Sequence, residues 1–202
     1  MLSSPRKTRM GIKPGKQVVP AALTKQQIRS KILLRLKIQK EEDRDRKSKL
    51  IKRKLFRTSV FKKAKKVMFY ISFGGEVNTQ DMIKEAQRLG KIVAVPVCKR
   101  RKITIRPCIL HNKAKLNKGP YGICEPAVKE YIRLEDLDLV IVPGIAFDKK
   151  GNRLGRGRGC YDHFLNRSTL DTASIGLAFD FQILPSLPTT TTDIKIGRVI
   201  SA

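Results

Sequence analysis

Apolar side chains recur at helical spacing near the start of the chain. Behind Thr24, a residue type that caps helices, isoleucine and leucine return at intervals of three and four residues. This spacing predicts a helix over Lys25 to Ile38. An acidic cluster followed by a thinner apolar stripe predicts a second helix from about Glu41 to Phe56. The domain is therefore expected to begin with two helices.

Beyond residue 66 the apolar positions fall into short β-rich runs separated by helical segments and turns. The predicted strands are Val67 to Phe73, Ile92 to Val97, Lys102 to Ile109, Leu137 to Pro143, Ser174 to Phe179 and Ile196 to Ile200. The predicted helices between them are Thr79 to Leu89, ending at Gly90, and Tyr161 to Arg167. Because strands alternate with helices, we expect an α/β domain with αβα layers and a mostly parallel central sheet.

Composition sets the domain limits. The chain has 202 residues, a length typical of one domain, and 41% of them are hydrophobic, which is enough to build a core. Residues 1–22 contain five basic and no acidic side chains together with several Gly and Pro residues. We interpret them as a mobile basic tail, and residues 23–202 as a single folded domain.

The charge of the chain is strongly unbalanced. Lys and Arg number 44 against 17 Asp and Glu, so the formal net charge is +27 at pH 7. Residues 1–66 alone hold 23 basic and 4 acidic side chains, a net charge of +19. Two interpretations stay open: a solvated basic surface, or an adapted site for nucleic acid or another polyanion.

Several classes of protein are disfavoured. No apolar run approaches the roughly 18 residues of a membrane-spanning helix, so no membrane partner is expected. The four cysteines include no C-x-x-C pair and only two histidines accompany them, so neither a zinc site nor a disulfide scaffold is predicted, and a cytoplasmic location is favoured. The Arg-containing, acid-free first residues leave an organelle transit peptide as a minor alternative.

The segment from Pro143 to Leu165 carries the clearest chemistry. It follows a predicted buried strand, and open α/β sheets bind ligands where their strands end. Its glycines allow backbone N–H groups to approach a phosphate, and its arginines supply guanidinium groups for phosphate or carboxylate oxygens. Asp162 is suited to hold a divalent cation beside them. Since the segment matches neither a Walker A loop nor a dinucleotide fingerprint, we predict a nucleotide-phosphate site of another type.

The same segment resembles the 5-formyltetrahydrofolate cyclo-ligase family, also called 5,10-methenyltetrahydrofolate synthetases. The family motif P-G-x-A/G-F-D-x-x-G-x-R-L-G-R-G-x-G-x-Y-D stands from Pro143 to Asp162. Further matches are a Lys-x-x-x-Arg pair at Lys25 and Arg29, the segment Ile71 to Glu76, the G-I-x-E-P element Gly122 to Pro126, and Asp193. The likeness covers roughly residue 23 to the C-terminus, which it identifies as a cyclo-ligase-like catalytic domain.

The resemblance implies an activity. It is the closure of 5-formyltetrahydrofolate to 5,10-methenyltetrahydrofolate, with ATP as co-substrate, Mg²⁺ as cofactor, and ADP and phosphate released. ATP phosphorylates the formyl oxygen, and the neighbouring nitrogen then attacks the activated carbon as phosphate leaves. The resemblance also implies a monomer and a fold similar to the sugar-phosphate isomerase and CoA-transferase-like fold.

The resemblance assigns roles to individual residues. The implied ATP-binding residues are Lys25, Arg29, Arg153, Leu154, Gly155, Arg156, Gly157, Arg158, Gly159, Cys160 and Tyr161. The implied folate-binding residues are Ile71, Glu76, Arg156, Gly157, Arg158, Gly159 and Cys160. Asp162 and Asp193 are the implied Mg²⁺ ligands. Among these residues Arg153, Arg156 and Arg158 are the candidates for catalysis, because guanidinium groups neutralise phosphoryl charge.

Two departures and two rival interpretations accompany the resemblance. Gly197 replaces an acidic residue that is common four positions after Asp193. Cys160 stands where the family usually has Tyr, so we expect altered substrate affinity, with the chemistry retained through Tyr161. A non-catalytic relative that binds RNA is a rival, motivated by the basic N-terminal region and the Arg-rich loop. A sugar-phosphate isomerase or acyl-transfer enzyme is another, supported by fold analogy alone.

Overall fold

The computed structural model describes residues 23–98, 104–119, 122–167 and 172–202. The basic tail predicted for residues 1–22 lies outside the described residues, as do the first two residues of the strand predicted from Lys102 to Ile109.

Five α-helices lie in the described residues. They are α1 (Lys25–Ile38), α2 (Glu41–Arg57), α3 (Ser59–Lys63), α4 (Gln80–Arg88) and α5 (Cys160–Leu165). The first begins as predicted because Thr24 and Gln27 cap each other: the Thr24 hydroxyl accepts from the Gln27 backbone N–H, and the Gln27 side chain accepts from the Thr24 N–H. The second runs one residue beyond the predicted end.

Eleven short strands accompany them. They are β1 (Lys66–Met68), β2 (Ile92–Cys98), β3 (Ile105–Ile109), β4 (Leu116–Lys118), β5 (Cys124–Pro126), β6 (Leu139–Val142), β7 (Ala146–Asp148), β8 (Arg153–Leu154), β9 (Ala173–Ala178), β10 (Ile183–Leu184) and β11 (Arg198–Ser201). Six of them form the central sheet in the order β11-β9-β6-β1-β2-β3. Every neighbouring pair in it is parallel except β2 and β3. The predicted mostly parallel sheet is confirmed.

The sheet separates two hydrophobic cores. Alternate strand residues such as Val93 and Ile141 pack on one face against α1, α2 and α4. The intervening residues, such as Ala94 and Val140, pack on the other face against α5 and the β7–β8 hairpin. The inner strands β1, β2, β6 and β9 therefore bury both of their faces, which explains their apolar runs. The arrangement is the predicted αβα layering.

The sequence prediction was wrong about several local elements. The strand predicted over Val67 to Phe73 ends at Met68, after which the chain leaves the sheet. The segment after Pro143 was predicted as one glycine-rich loop, but it begins with the antiparallel strands β7 and β8. The short pair β4–β5 and the helix α3 were not predicted.

Within the described ranges, no helix combines the length and the apolar character that a membrane crossing needs. The four cysteines are free thiols.

Candidate active site

A cavity of about 830 Å³ opens at the carboxyl ends of the central strands. It lies where the loops after β1 and β6 diverge, because β1 has β2 on one side and β6 on the other. This is the switch point at which open α/β sheets bind ligands. The loops after β1 and β6, the end of β2, the N-terminal parts of α1 and α5, and the loop before β11 all contribute to its wall.

The N-terminal part of α1 supplies two cations to this cavity. Lys25 and Arg29 are one helical turn apart, so they share a face of the helix. The Lys25 Nζ atom lies 2.5 Å from Asp193 Oδ2. Arg29 Nε donates to the Gly155 carbonyl at 2.9 Å. Both contacts attach α1 to segments more than a hundred residues away in the chain.

The tight turn after β1 supplies a buried carboxylate. Gly74 and Gly75 both have positive φ angles, of 59° and 83°, which glycine adopts without strain. Glu76 follows them and is only 7% exposed. It accepts a hydrogen bond from the Phe73 backbone N–H at 3.3 Å. Burial raises the pKa of Glu76, and the nearby Arg156 guanidinium partly opposes that rise.

Asp148 shapes the β7–β8 hairpin at the start of the motif. Its carboxylate accepts from the backbone N–H groups of Lys150, Asn152 and Leu187 and from the Asn152 side-chain amide, at 2.8 to 3.1 Å. Burial opposes ionisation, but these donors lower the pKa of Asp148 below its usual value. The hairpin delivers Arg153, its first residue on the return strand, to the cavity wall.

Arg153 and Asp162 form the most buried ion pair of the cavity. Arg153 Nη2 lies 2.8 Å from Asp162 Oδ1, and the exposed fractions of the two side chains are 4% and 18%. Arg153 Nη1 also donates to the Pro143 carbonyl at 3.3 Å. The buried Arg153 Nε has no hydrogen-bond partner among the described residues. An unused buried donor in a cavity wall is suited to bind an oxyanion.

The glycine-rich loop after β8 spreads two further guanidinium groups over the cavity. Arg156 Nη2 lies 2.9 Å from Glu76 Oε1, and its guanidinium stacks 4.1 Å from the centre of the Phe73 ring. Arg158 also lines the cavity. Gly157 has a φ angle of 99°, and a Cβ atom there would lie 3.6 Å from the Arg29 guanidinium. The loop therefore needs glycine for its backbone conformation.

Asp193 comes to the cavity from the loop before β11. Its carboxylate accepts from the Thr190 backbone N–H at 2.7 Å and from Lys25. Burial opposes ionisation, but these two donors lower the pKa of Asp193. The backbone N–H of the next residue, Ile194, lies 3.4 Å from Asp162 Oδ1. The segment that carries Asp193 is therefore in contact with Asp162.

Cys160 and Tyr161 begin α5 on the cavity wall. Burial raises the pKa of both groups, so both stay protonated at neutral pH. The Tyr161 hydroxyl is buried and has no hydrogen-bond partner within the described part of the chain. Cys160, which replaces the expected aromatic residue, is half-buried and lines the cavity together with Cys98.

All the residues to which the resemblance assigns a role line this one cavity, although they come from four separate segments of the chain. In addition to the residues named above, Ile71 and Leu154 lie in its apolar wall. The sequence analysis missed other lining residues, chiefly Tyr70, Phe73, Cys98, Ile105 and Ile123. Most of these residues follow or end a strand at the same edge of the sheet. Their position relative to the strands is the sequence feature by which they could have been found.

Comparisons with known proteins agree with this geometry. The model of the 5-formyltetrahydrofolate cyclo-ligase family matches residues 21–202. The chain belongs to this family. A mouse 5-formyltetrahydrofolate cyclo-ligase is 31% identical over 187 residues, which cover 87% of this chain and 92% of the mouse protein. The 5-formyltetrahydrofolate cyclo-ligase of Escherichia coli K12 is 35% identical over 146 residues, 67% of this chain and 76% of that one.

A solved structure supports the fold of this cyclo-ligase family member. The NMR structure of 5,10-methenyltetrahydrofolate synthetase from Aquifex aeolicus matches with a TM-score of 0.78 and 34% identity, and the match covers 88% of this chain and 89% of that one. Family membership identifies the protein as an enzyme of the ligase class. The interpretation as a non-catalytic relative is therefore disfavoured.

Most of the basic surplus lies away from the cavity of this cyclo-ligase family member. The outward face of α2 exposes Arg46, Lys49, Arg53 and Arg57, which recur at intervals of three and four residues. None of them lines the cavity. Nucleic-acid binding by this surface stays an alternative to a solvated basic surface.

Proposed function

We propose that the protein closes 5-formyltetrahydrofolate to 5,10-methenyltetrahydrofolate in an ATP-dependent reaction. The formyl oxygen attacks the γ-phosphorus of ATP, and ADP leaves. The neighbouring nitrogen of the folate, N10, then attacks the activated formyl carbon and loses its proton, and the C–O bond to the phosphate breaks. One ATP is consumed for each methenyl bridge formed.

The observation that carries this proposal is the ion pair between Arg156 and Glu76, at 2.9 Å. It joins a phosphate-type loop to a buried carboxylate inside one cavity. A carboxylate accepts hydrogen bonds from pterin N–H groups, whereas a guanidinium attracts phosphoryl oxygens. The cavity thus offers complementary groups for the two reactants side by side, which is the main requirement of a phosphoryl transfer.

The remaining cations suit the nucleotide. Lys25, Arg29 and Arg153 lie around the same cavity as the glycine-rich loop. We infer that they hold the ATP phosphates, and that Arg153, Arg156 and Arg158 stabilise the charge that develops on the transferred phosphoryl group. The Tyr161 hydroxyl, protonated and unpartnered within the described ranges, can donate a hydrogen bond to the nucleotide.

The residues present also fit Mg²⁺. This ion usually binds to one or two carboxylates, and its other ligands are water and substrate phosphates. Asp162 and Asp193 are two such carboxylates on one cavity wall, and no cluster of three or more potential ligands exists among the described residues. When bound, Mg²⁺ would neutralise the charge of the ATP phosphates. Arg153 and Lys25 hold the two carboxylates in position through their ion pairs.

The test is an absorbance assay for the methenyl product with purified protein, 5-formyltetrahydrofolate, Mg²⁺ and ATP. We expect turnover that requires both ATP and Mg²⁺. Asp162→Asn should abolish turnover without unfolding the protein, whereas Asp180→Asn, at an exposed position outside the cavity, should leave it unchanged. Absence of ATP-dependent turnover, under conditions in which the E. coli relative is active, would overturn the proposal.

A further inference from the structure

One side chain attaches the turn that carries Glu76 to the end of α1. Gln39, which follows the last residue of α1, donates from its amide Nε2 to the Gly75 carbonyl at 2.7 Å. The same nitrogen donates to the Leu36 carbonyl at 3.3 Å, one of the carbonyl groups that a helix leaves unpaired at its end. An amide nitrogen carries two hydrogens, so it can form both bonds. Gln39 therefore joins α1 to the turn through two backbone carbonyls.

The hydrogen bonds within the turn itself are long. The Phe73 N–H donates to the Glu76 carboxylate, and the Glu76 N–H donates to the Phe73 carbonyl, both at 3.3 Å. Well-formed N–H···O bonds in proteins are about 2.7 to 3.2 Å long. The bond from Gln39 to the turn is shorter than either of these two. The turn therefore depends on Gln39 for its position as well as on its own bonds.

Contacts near both ends of α1 determine where the ion pair between Arg156 and Glu76 forms. In the N-terminal half of the helix, Arg29 Nε donates to the carbonyl of Gly155, the residue before Arg156. At the other end, Gln39 holds the residue before Glu76. These two contacts are about 15 Å apart along the helix, since an α-helix rises about 1.5 Å per residue. The helix is therefore a rigid spacer between the motif loop and the turn.

Gln39 itself does not line the active-site cavity. It also lies outside every segment that matches the family motifs, because it stands between Arg29 and Ile71. Any effect of Gln39 on a substrate must therefore pass through a residue that does line the cavity. Glu76 is that residue, since it directly follows the carbonyl that Gln39 holds. A displacement of about 1 Å at a binding group is enough to weaken substrate binding or slow turnover.

We propose that Gln39 is a positioning residue for the folate, and that it holds the Glu76 carboxylate where the pterin N–H groups bind. This inference rests on the proposed function, in which Glu76 contacts the folate. Without the amide donor, the turn separates from α1 in part of the molecules. The folate then binds only the remaining fraction, so its apparent affinity falls. The ATP contacts of Lys25 and Arg29 are unaffected, because these residues lie at the other end of the helix.

The test is Gln39→Met, which removes the donor but keeps a neutral side chain of nearly the same length. Steady-state kinetics should show a KM for 5-formyltetrahydrofolate about fivefold higher than in the wild type, as expected for one lost hydrogen bond. The values of kcat and of the KM for ATP should stay within about twofold of wild type. An unchanged KM for the folate, or an equal rise in both KM values, would overturn the proposal.

Gln87→Met is the matched control. Gln87 Nε2 donates to the Leu110 carbonyl at 2.6 Å, so the control also loses a bond from a glutamine on a helix to a backbone carbonyl. Neither Gln87 nor Leu110 lines the active-site cavity. The KM for the folate should therefore keep its wild-type value in Gln87→Met. A rise as large as that in Gln39→Met would show general loosening of the fold and would contradict a positioning role.

A double-mutant cycle separates positioning from a merely structural role. Glu76→Ala removes the carboxylate that Gln39 is proposed to hold. If Gln39 acts through this carboxylate, adding Gln39→Met to Glu76→Ala should raise the KM for the folate by less than about twofold more. The full increase of about fivefold in the Glu76→Ala background would mean that Gln39 acts independently of Glu76, and the proposal would be wrong.

Failure of the proposed function is separable from failure of this inference. Were the folate not converted, calorimetric titration with 5-formyltetrahydrofolate would still compare its affinity for the wild type, Gln39→Met and Gln87→Met. Amide hydrogen exchange at the Glu76 N–H needs no ligand, and it should be about fivefold faster in Gln39→Met and unchanged in Gln87→Met. Equal exchange rates in the three proteins would show that Gln39 does not hold the turn.

Discussion

Arg156 and Glu76 lie 80 residues apart in the chain, yet Arg156 Nη2 donates to Glu76 Oε1 at 2.9 Å. The contact joins the turn after β1 to the motif loop after β8. Because Glu76 is 7% exposed, its ionised form depends on this guanidinium. The pair therefore couples the conformation of the motif loop to the charge of the carboxylate beside it.

Glu76→Gln tests the role of this charge. The variant keeps the shape but loses a charge-assisted hydrogen bond of about 1.5 to 3 kcal/mol, so KM for 5-formyltetrahydrofolate should rise about 10- to 100-fold. Glu85→Gln, which removes an exposed ion pair with Arg88 on α4, should leave KM unchanged. Steady-state kinetics with the methenyl absorbance measure both variants.

The same variant should change how stability depends on pH. Burial raises the pKa of Glu76 in the folded state, so its contribution to stability is full below its unfolded value of about 4.5 and is lost as the pH rises through the folded value. Glu76→Gln has no such titration. Urea unfolding at several pH values should show the wild type losing stability relative to the variant as the pH rises; a constant difference would contradict the assignment.

Lys25→Met tests the pair at the start of α1. Loss of the ammonium should raise KM for ATP by about tenfold, because a phosphate contact is removed, and should leave KM for the folate nearly unchanged. Lys31→Met, on the exposed side of the same helix, is the control. A larger effect on the folate KM than on the ATP KM would place Lys25 at the other substrate.

The pH dependence of this pair has the opposite sign from that of Glu76. The pKa of Asp193 is lowered overall, since Lys25 and Thr190 outweigh burial. Its stabilising contribution is therefore present above its unfolded value of about 3.8 and is lost as the pH falls through the lower folded value. In Lys25→Met the pKa of Asp193 should rise, which NMR titration of the carboxyl carbon can measure. An unchanged pKa would show that the Thr190 N–H, and not Lys25, holds the carboxylate ionised.

Asp148→Ala tests the hairpin that delivers Arg153. The substitution leaves three backbone N–H groups without their acceptor, so the free energy of unfolding should fall by about 3 kcal/mol. Asp138→Ala is a matched control, because Asp138 accepts from the Lys65 and Lys66 N–H groups at an exposed position and should cost about 1 kcal/mol or less. Urea unfolding at pH 7 compares them. Equal losses would mean that burial does not set the cost.

The sequence alone predicted the elements whose signals are local. The bounds of α1 could be predicted because a capping residue and a regular apolar spacing act within one helix. The alternation of strands and helices likewise predicted the layers and the mostly parallel sheet. The site residues were predicted from one long motif and from several shorter matches elsewhere in the chain. They line one cavity because the carboxyl ends of parallel strands lie at the same edge of the sheet.

Features that depend on distant contacts could not be predicted. The pairing of Lys25 with Asp193 spans 168 residues and has no local signal. The close approach of Gly75 to the Leu36 carbonyl of α1 likewise has no local signal. The β7–β8 hairpin was not predicted. Its turn is stabilised by one buried side chain, Asp148, and the residues around Asp148 are also typical of a phosphate-binding loop.

Gly75→Ala tests how closely the turn before Glu76 packs against α1. Gly75 has a φ angle of 83°, and an added Cβ would lie 2.2 Å from the Leu36 carbonyl oxygen, a backbone atom that cannot move without shifting the helix. Gly90→Ala is a matched control, since Gly90 also has positive φ, 75°, but nothing lies within 4 Å of an added Cβ. Its cost should be the conformational penalty alone, about 1 to 2 kcal/mol.

Gly75→Ala should cost clearly more than this control in urea unfolding, and it should also raise KM for the folate, because displacement of the turn moves Glu76. Gly90→Ala should leave KM unchanged, since Gly90 does not line the active-site cavity. Equal unfolding costs for the two variants would show that the turn and α1 separate easily. The position of Glu76 would then depend on its ion pair with Arg156, and Glu76→Gln would be expected to loosen the turn.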